Sequence, residues 1–255
     1  FSLLYDTGAF SLQRTFSDSE HEFASCCLNN DGKFALIGCW DNHVYSYSIT
    51  NACAIGKQIM HEDAISSISY VADASNQNSL YGTNMLLTGS YDGSAKLWSI
   101  QYNNLIHKQP VIDFDIHESA ITKVNLRDDM KLAAIGSDKG KLVVWDIQTS
   151  KKIFTFHISR TKSSISSLIW LADDKLVCIT KDGCLAHIDV SVSALSSAAL
   201  GFSTIVSSLT LDCDVLCGSS LNQTKGHFFC GCGDGSIRMF SLDSPGIVER
   251  YRFPR

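Results

Sequence analysis

The chain has 255 residues, 45% of them hydrophobic and 18% charged, with three prolines. That composition supplies a sizeable core and argues against disorder. A net charge of −5 gives no reason to expect nucleic acid, whose binders usually carry a basic face. No apolar run approaches the ~20 residues of a membrane-crossing helix, so direct membrane insertion is not expected either.

The first residues, Phe1–Phe10, show no basic start and no continuous apolar stretch, so no export signal is read there. A reducing, cytoplasmic setting follows as an expectation. Ten cysteines, most of them inside predicted strands, are then free thiols acting as small hydrophobes. Phe1–Tyr5 and Leu12–Phe16 read as two paired strands, expected to be half of a repeating unit.

From there a repeat governs the chain. Five stretches place an Asp in a tight turn between two apolar runs. They are FALIGCWDNHVYSYSI with Asp41, LLTGSYDGSAKLWSI with Asp92, LAAIGSDKGKLVVWDI with Asp138, LVCITKDGCLAHIDV with Asp182, and FFCGCGDGSIRMFSL with Asp234. The Asp residues are 51, 46, 44 and 52 positions apart. Six or seven residues after each stand Tyr47, Trp98, Trp145, Ile188 and Phe240.

One strand-like segment precedes each hairpin and another follows it. The leading ones are Phe23–Leu28, Ile65–Tyr70, Ile121–Leu126, Ile165–Trp170 and Ile205–Leu211. Ala194–Leu200 is read as the outer strand of the fourth unit. Val71–Asn84 and Asp212–Lys225 read as insertions between first and second strands. Val190–Leu200 alone hints at helical periodicity. Four strands in about 45 residues is the period of a WD-type β-propeller blade. The expected fold is therefore all-β: a WD40 propeller of five four-stranded blades plus half a blade. The expected divisions are 1–16, 17–60, 61–114, 115–157, 158–201 and 202–255, part of a ring that commonly has seven blades.

Such blades are braced by a turn Asp that orients a His from the neighbouring loop, which in turn reaches the Trp or a hydroxyl. His61, Thr88, Asp92 and Trp98 supply all four partners in the second unit. His117, Asp138 and Trp145 supply three in the third. Asp41, Asp182 and Asp234 hold the turn position elsewhere. The residue before each Asp falls on the rim of the central opening: Trp40, Tyr91, Ser137, Lys181 and Gly233. Trp40 and Tyr91, on adjacent blades, are candidate anchors for a peptide. Asp63, Asp41 and Glu118 add negative charge suited to a basic segment.

Catalytic and cofactor signals are weak. Cys213-x3-Cys217, Cys230-x-Cys232 and Cys178 with Cys184 lack the paired spacing of structural zinc, so no metal is expected. Gly231–Gly235, GCGDG, precedes a strand rather than the helix a phosphate cradle needs. H-E-x-x-H and G-x-S-x-G are absent. No cofactor and no enzyme activity is expected; an active site in the propeller cleft is the alternative of a different class.

Cys39–Ile49 (CWDNHVYSYSI), Met60–Tyr70 (MHEDAISSISY), GSYDGSAKLWS and KDGCLAHIDV together resemble the C-terminal WD region of the BEACH–WD proteins. The resemblance runs blade by blade and weakens after Val190, where Gly-His and Trp-Asp pairs are lacking. It implies a BEACH domain upstream in the parent chain. It also implies an adaptor role in cytoplasmic signalling or membrane traffic, such as coupling a receptor's cytoplasmic tail to sphingomyelinase activation. A structural WD subunit of an unrelated complex is the other reading.

Overall fold

The computed structural model describes residues 2–6, 11–16, 19–29, 32–72, 84–100, 106–114, 119–158, 160–171, 174–191, 205–220, 226–242 and 247–252. All regular structure among them is strand. β1 (Ser2–Asp6) and β2 (Ser11–Phe16) pair as a two-stranded sheet. Five four-stranded sheets, the blades, follow. Blade one is β3 (Phe23–Leu28), β4 (Phe34–Cys39), β5 (His43–Ser48) and β6 (Cys53–Ile59). Blade two is β7 (Ile65–Ala72), β8 (Asn84–Ser90), β9 (Ala95–Ser99) and β10 (Ile112–Phe114). Blade three is β11 (Ile121–Leu126), β12 (Leu132–Ser137), β13 (Lys141–Asp146) and β14 (Lys151–His157). Blade four is β15 (Ile165–Leu171), β16 (Lys175–Thr180), β17 (Cys184–Asp189) and β18 (Ile205–Thr210). Blade five is β19 (Val215–Ser220), β20 (His227–Cys232), β21 (Ser236–Ser241) and β22 (Ile247–Arg252). Strands run in chain order across each blade, each hydrogen-bonded to the next. The fold is that of a WD40-type β-propeller.

The last division differs from the one expected. Ile205–Thr210 does not open blade five; it closes blade four, paired to β17 through His187↔Ser207 and Leu185↔Leu209. The first strand of blade five is Val215–Ser220, inside the stretch expected to be an insertion. Backbone bonds show why. Leu211 N–H donates to Gly183 O, as Met60 does to Asn42 O and Ile158 to Gly140 O. Each such bond marks the end of an outer strand. Leu211-Asp212-Cys213-Asp214 is therefore the short link between blades. The Ser- and Ala-rich run before Ile205 hides this boundary in the sequence, and the expected strand Ala194–Leu200 lies outside the described residues. The hint of a helix at Val190–Leu200 and most of the Val71–Asn84 insertion lie outside them too.

The chain divides into two compact units, Phe1–Val124 with Asp128–Met130, and Asn125–Arg127 with Lys131–Arg255. In the first, Phe34, Leu36 and Val44 of blade one pack on Ile65, Ile68, Leu86 and Trp98 of blade two. The opposite face of blade one buries Ala35, Ile37, Tyr45 and Tyr47. In the second unit, Leu142 and Val144 meet Ile165, Leu176 and Ile188. Val177, Ile179 and Leu185 meet Phe228, Cys230 and Phe240. The second strands of the first four blades, β4, β8, β12 and β16, are thus buried on both faces along almost their whole length.

A glycine sets how closely neighbouring blades approach. A Cβ built on Gly89 would lie 2.6 Å from Ile121 Cγ2, and one on Gly136 would lie 2.8 Å from Ile165 Cγ2. The isoleucine that opens one blade fills the gap left in the second strand of the blade before it. In blade four that gap is closed by Ile179. The glycine appears instead on the facing strand, at Gly218, whose Cβ would meet Ile179 Cδ1 at 2.8 Å. Serines reinforce the joints. Ser67 Oγ accepts from Val124 N–H at 3.2 Å, and Ser167 Oγ accepts from Gly218 N–H at 3.0 Å. Gly136→Ala is expected to overpack this joint and cost about 1–3 kcal/mol. Urea unfolding of the variant measures it, and an unchanged midpoint contradicts the interlock.

Candidate functional site

The hairpin turn of each blade contains one residue with left-handed backbone: Asn42 (φ 69°), Gly93 (87°), Gly140 (69°), Gly183 (86°) and Gly235 (77°). Glycine adopts this conformation without strain, and Asn tolerates it. The four glycine amides donate to Ser90, Ser137, Thr180 and Cys232 carbonyls respectively. Aligned on this residue, one position holds Trp40, Tyr91, Asp138, Lys181 and Gly233. The next holds Asp41, Asp92, Lys139, Asp182 and Asp234.

This alignment corrects the third blade. Lys139, not Asp138, is the counterpart of Asp92. Asp138 stands in the Tyr91 position and is exposed, whereas Ser137, expected at the rim, is fully buried. The glycine, not the carboxylate, fixes the turn geometry. Ser137 Oγ accepts the Lys141 N–H, the task that Asp92 performs for Ser94. His117 and Glu118 lie outside the described residues. Trp145 is partly buried and lies on β13 across from Ala133.

In blade two the four residues grouped by their spacing meet. Trp98 Nε1 donates to Thr88 Oγ1 at 2.9 Å. Thr88 Oγ1 lies 2.7 Å from His61 Nε2, and His61 Nδ1 lies 3.0 Å from Asp92 Oδ2. One proton arrangement satisfies the chain: Thr88 donates to Nε2, and Nδ1–H donates to Asp92. Asp92 also accepts from Glu62 N–H at 3.0 Å, Ser94 N–H at 2.8 Å and Ser94 Oγ at 2.7 Å. Burial pulls its carboxyl upward, but His61, the Ser94 donors and the Glu62 amide outweigh it and hold it well below the usual carboxylate range. The loop entering the blade is thereby tied to the hairpin and to the buried Trp.

The turn Asp of other blades is held by other groups. Asp41 accepts from Tyr45 Oη at 2.6 Å and from Lys57 Nζ at 3.1 Å. Burial again raises its carboxyl, and Tyr45, Cys39, Lys57 and the His43 amide bring it well below the ordinary value. Its charge is thus matched by Lys57. Asp182 accepts from Thr161 Oγ1 and Thr180 Oγ1. In blade five, the buried Arg238 donates to Asp212 Oδ1 at 2.6 Å and to Asp234 Oδ2 at 3.1 Å. Asp212 follows Leu211 as His61 follows Met60. A loop Asp and a strand Arg therefore replace the loop His.

Cys213 Sγ, Cys232 Sγ and an Asp234 oxygen lie within 4.8 Å of one another, beside this pair. Burial, followed by the hydrogen bond with Cys232, pushes the Cys213 thiol up to about 11. The Arg238 guanidinium already supplies the positive charge that Asp234 requires. Gly231–Gly235 is a hairpin turn leading into β21, not a phosphate cradle.

At the hairpin turns, Trp40 is 48% and Tyr91 43% exposed, although their neighbours Cys39 and Ser90 are fully buried. Their amides are bound to Glu22 O and Ala64 O, so both turns are fixed on the adjoining loops. Glu62 and Asp63, exposed between them in sequence, carry the negative charge. Lys181 is exposed in the second unit, its amide bound to Ser164 O.

Residues 55–99 match the family model "WD domain, G-beta repeat", and that stretch contains the entire His61–Thr88–Asp92–Trp98 set. The second blade of this chain thus matches a WD repeat. The chain is 22% identical over 245 residues to the "p21-activated protein kinase-interacting protein 1-like" of Danio rerio, covering 95% of this chain and 58% of that protein. It is 26% identical over 193 residues to "Autophagy-related protein 18" of Scheffersomyces stipitis, covering 72% of this chain and 30% of the relative. The chain thus spans between about a third and three-fifths of these curated relatives.

Sequence reasoning missed the Arg238 bridge of this chain. An Arg in a strand otherwise read as apolar, SIRMFSL, was the available signal, since a buried Arg requires acidic partners. It also missed Lys139, for which the position of Gly140 was the signal.

Trp98→Ala is expected to cost roughly 3–5 kcal/mol as a buried truncation, read by urea unfolding. Acid should loosen the same joint. Asp92 has a depressed folded pKa, so its stabilisation is complete above the unfolded value of about 3.9. It declines as pH falls below that value toward the folded one. Urea midpoints measured down the acid range should therefore fall more steeply for the parent than for Asp92→Asn, which starts less stable at neutral pH. Parallel curves would contradict the role given to Asp92.

Proposed function

We propose that this chain is a non-catalytic binding module, the propeller of a BEACH–WD adaptor, and that partner segments seat on the rim at Trp40 and Tyr91. WD40 repeats mark a protein-interaction scaffold, which supports the reading at its broadest. The observation that carries it further is the pair of exposed aromatic rings at one turn position of two adjacent blades, each on a backbone amide bonded to the adjoining loop. Aromatic rings provide large contact area with little entropy to lose. Glu62 and Asp63 nearby favour a basic segment.

The order of variant motifs supports a narrower reading within that group. The Trp-Asp-Asn turn before Val-Tyr-Ser-Tyr-Ser, and Asp-Gly-Cys-Leu ending in Ile-Asp-Val, resemble the factor associated with neutral sphingomyelinase activation. That reading makes a tumour necrosis factor receptor tail the partner and the cytoplasm the site of action. The matched Danio rerio relative, named as a kinase-interacting protein, supports the broader binding role.

Titration calorimetry with a synthetic receptor-tail peptide tests both levels. Trp40→Ala with Tyr91→Ala is expected to weaken binding by about 2 kcal/mol or more while the melting temperature holds. A tail that does not bind the parent ends the receptor reading. A tail bound equally by the double variant ends the rim assignment.

A further inference from the structure

The outer strand of blade four differs from the other outer strands. β6 carries Lys57, β10 Asp113, β14 Lys151 and Lys152, and β22 Glu249, Arg250 and Arg252. Charges on an edge strand deter pairing with another chain. β18, IVSSLT, carries none. It ends its sheet, bonded to β17 on one side. Ser207, Ser208, Leu209 and Thr210 are exposed. Among the described residues, this edge is exposed and carries no charge to guard it.

A cavity of about 90 Å³ opens beside it, between blades four and five of the second unit. Leu185, His187, Ser207, Leu209, Phe228 and Phe240 line it. An engineered cavity of about 150 Å³ holds benzene, so this one suits a smaller aliphatic group. His187 Nε2 is buried there without a hydrogen-bond partner. Burial, aided by Lys175, lowers the imidazole pKa. The neutral ring therefore presents one donor and one acceptor nitrogen.

We propose that β18 and this cavity form a peptide-docking site independent of the rim. An extended, uncharged segment of a partner protein adds to blade four as a fifth strand. One aliphatic side chain enters the cavity, against Leu185, Phe228 and Phe240. Backbone pairing along Ser207–Thr210 holds the segment, and the cavity sets its register. The absence of charge on β18 selects a partner strand without charge. A second copy of β18 suits the site poorly. Its exposed aliphatic residue, Leu209, already lines its own cavity and is not free to enter another.

Phage-displayed decapeptides selected on the 255-residue chain test this directly. Enriched peptides are expected to share a single aliphatic residue in an uncharged, strand-prone frame. Leu209→Lys places a charge on the edge, and Ser207→Phe fills the cavity. Both positions are exposed, so the core is left intact. Each variant should weaken the selected peptides by about tenfold or more, whereas Trp40→Ala with Tyr91→Ala should not change their affinity. No enrichment, or equal binding to Leu209→Lys and Ser207→Phe, overturns the proposal. So does a dimer in sedimentation that Leu209→Lys dissolves, because that result assigns the edge to a second copy.

Discussion

The second strand of each of the first four blades is buried on both faces, and no blade can cover both alone. In blade four, Leu176 needs blade three on one face, while Val177 and Ile179 need blade five on the other. Hydrophobic burial contributes about 25 cal/mol per Å², so this two-sided demand outweighs any single hydrogen bond in the structure. The rest follows from it. Glycines appear where an incoming isoleucine must fit, and small serines bond across the same seams. When Ile179 takes the glycine's place, Gly218 gives way on the other side. Space is conserved at the joint even though its residues are not.

The loops between blades have a different problem. They must return from the outer edge to the inner strand and still satisfy their backbone. Blade two solves it with a His that links a carboxylate, a hydroxyl and an indole. Blade five uses Arg against two acids, while in blade one Tyr and Lys of its own third and fourth strands hold the turn Asp. All of these fix the hairpin, and with it the residue that precedes the turn Asp. The exposed positions of Trp40 and Tyr91 are therefore set by buried chemistry behind them.

Much of this was legible in the sequence because it recurs. The period showed the blades, and His61, Thr88, Asp92 and Trp98 could be grouped by their place in one unit. Reading failed where a recurring residue was not the cause of the geometry. Asp138 resembled Asp92, but left-handed backbone at Gly140 decides the register, and it moves Lys139 into that place. Val215–Ser220 looked like an insertion because a polar Cys-Gly-Ser-Ser stretch has little strand character on its own. Its strand state comes from pairing with β20. The Arg238 bridge was hidden because Asp212 and Asp234 come together only in the folded chain.

The exchange of His61 for other braces has a consequence for divergence. Backbone pairing holds each hairpin whatever side chains tie down the loop, so one brace can be traded for another without disturbing the blade. Selection can preserve the task while letting the residues drift. Recognition by sequence then fades wherever a trade has been made, and it is the blade that keeps the His–Thr–Trp–Asp set that still matches the family model. The neighbouring blades belong to the same architecture written in substituted parts.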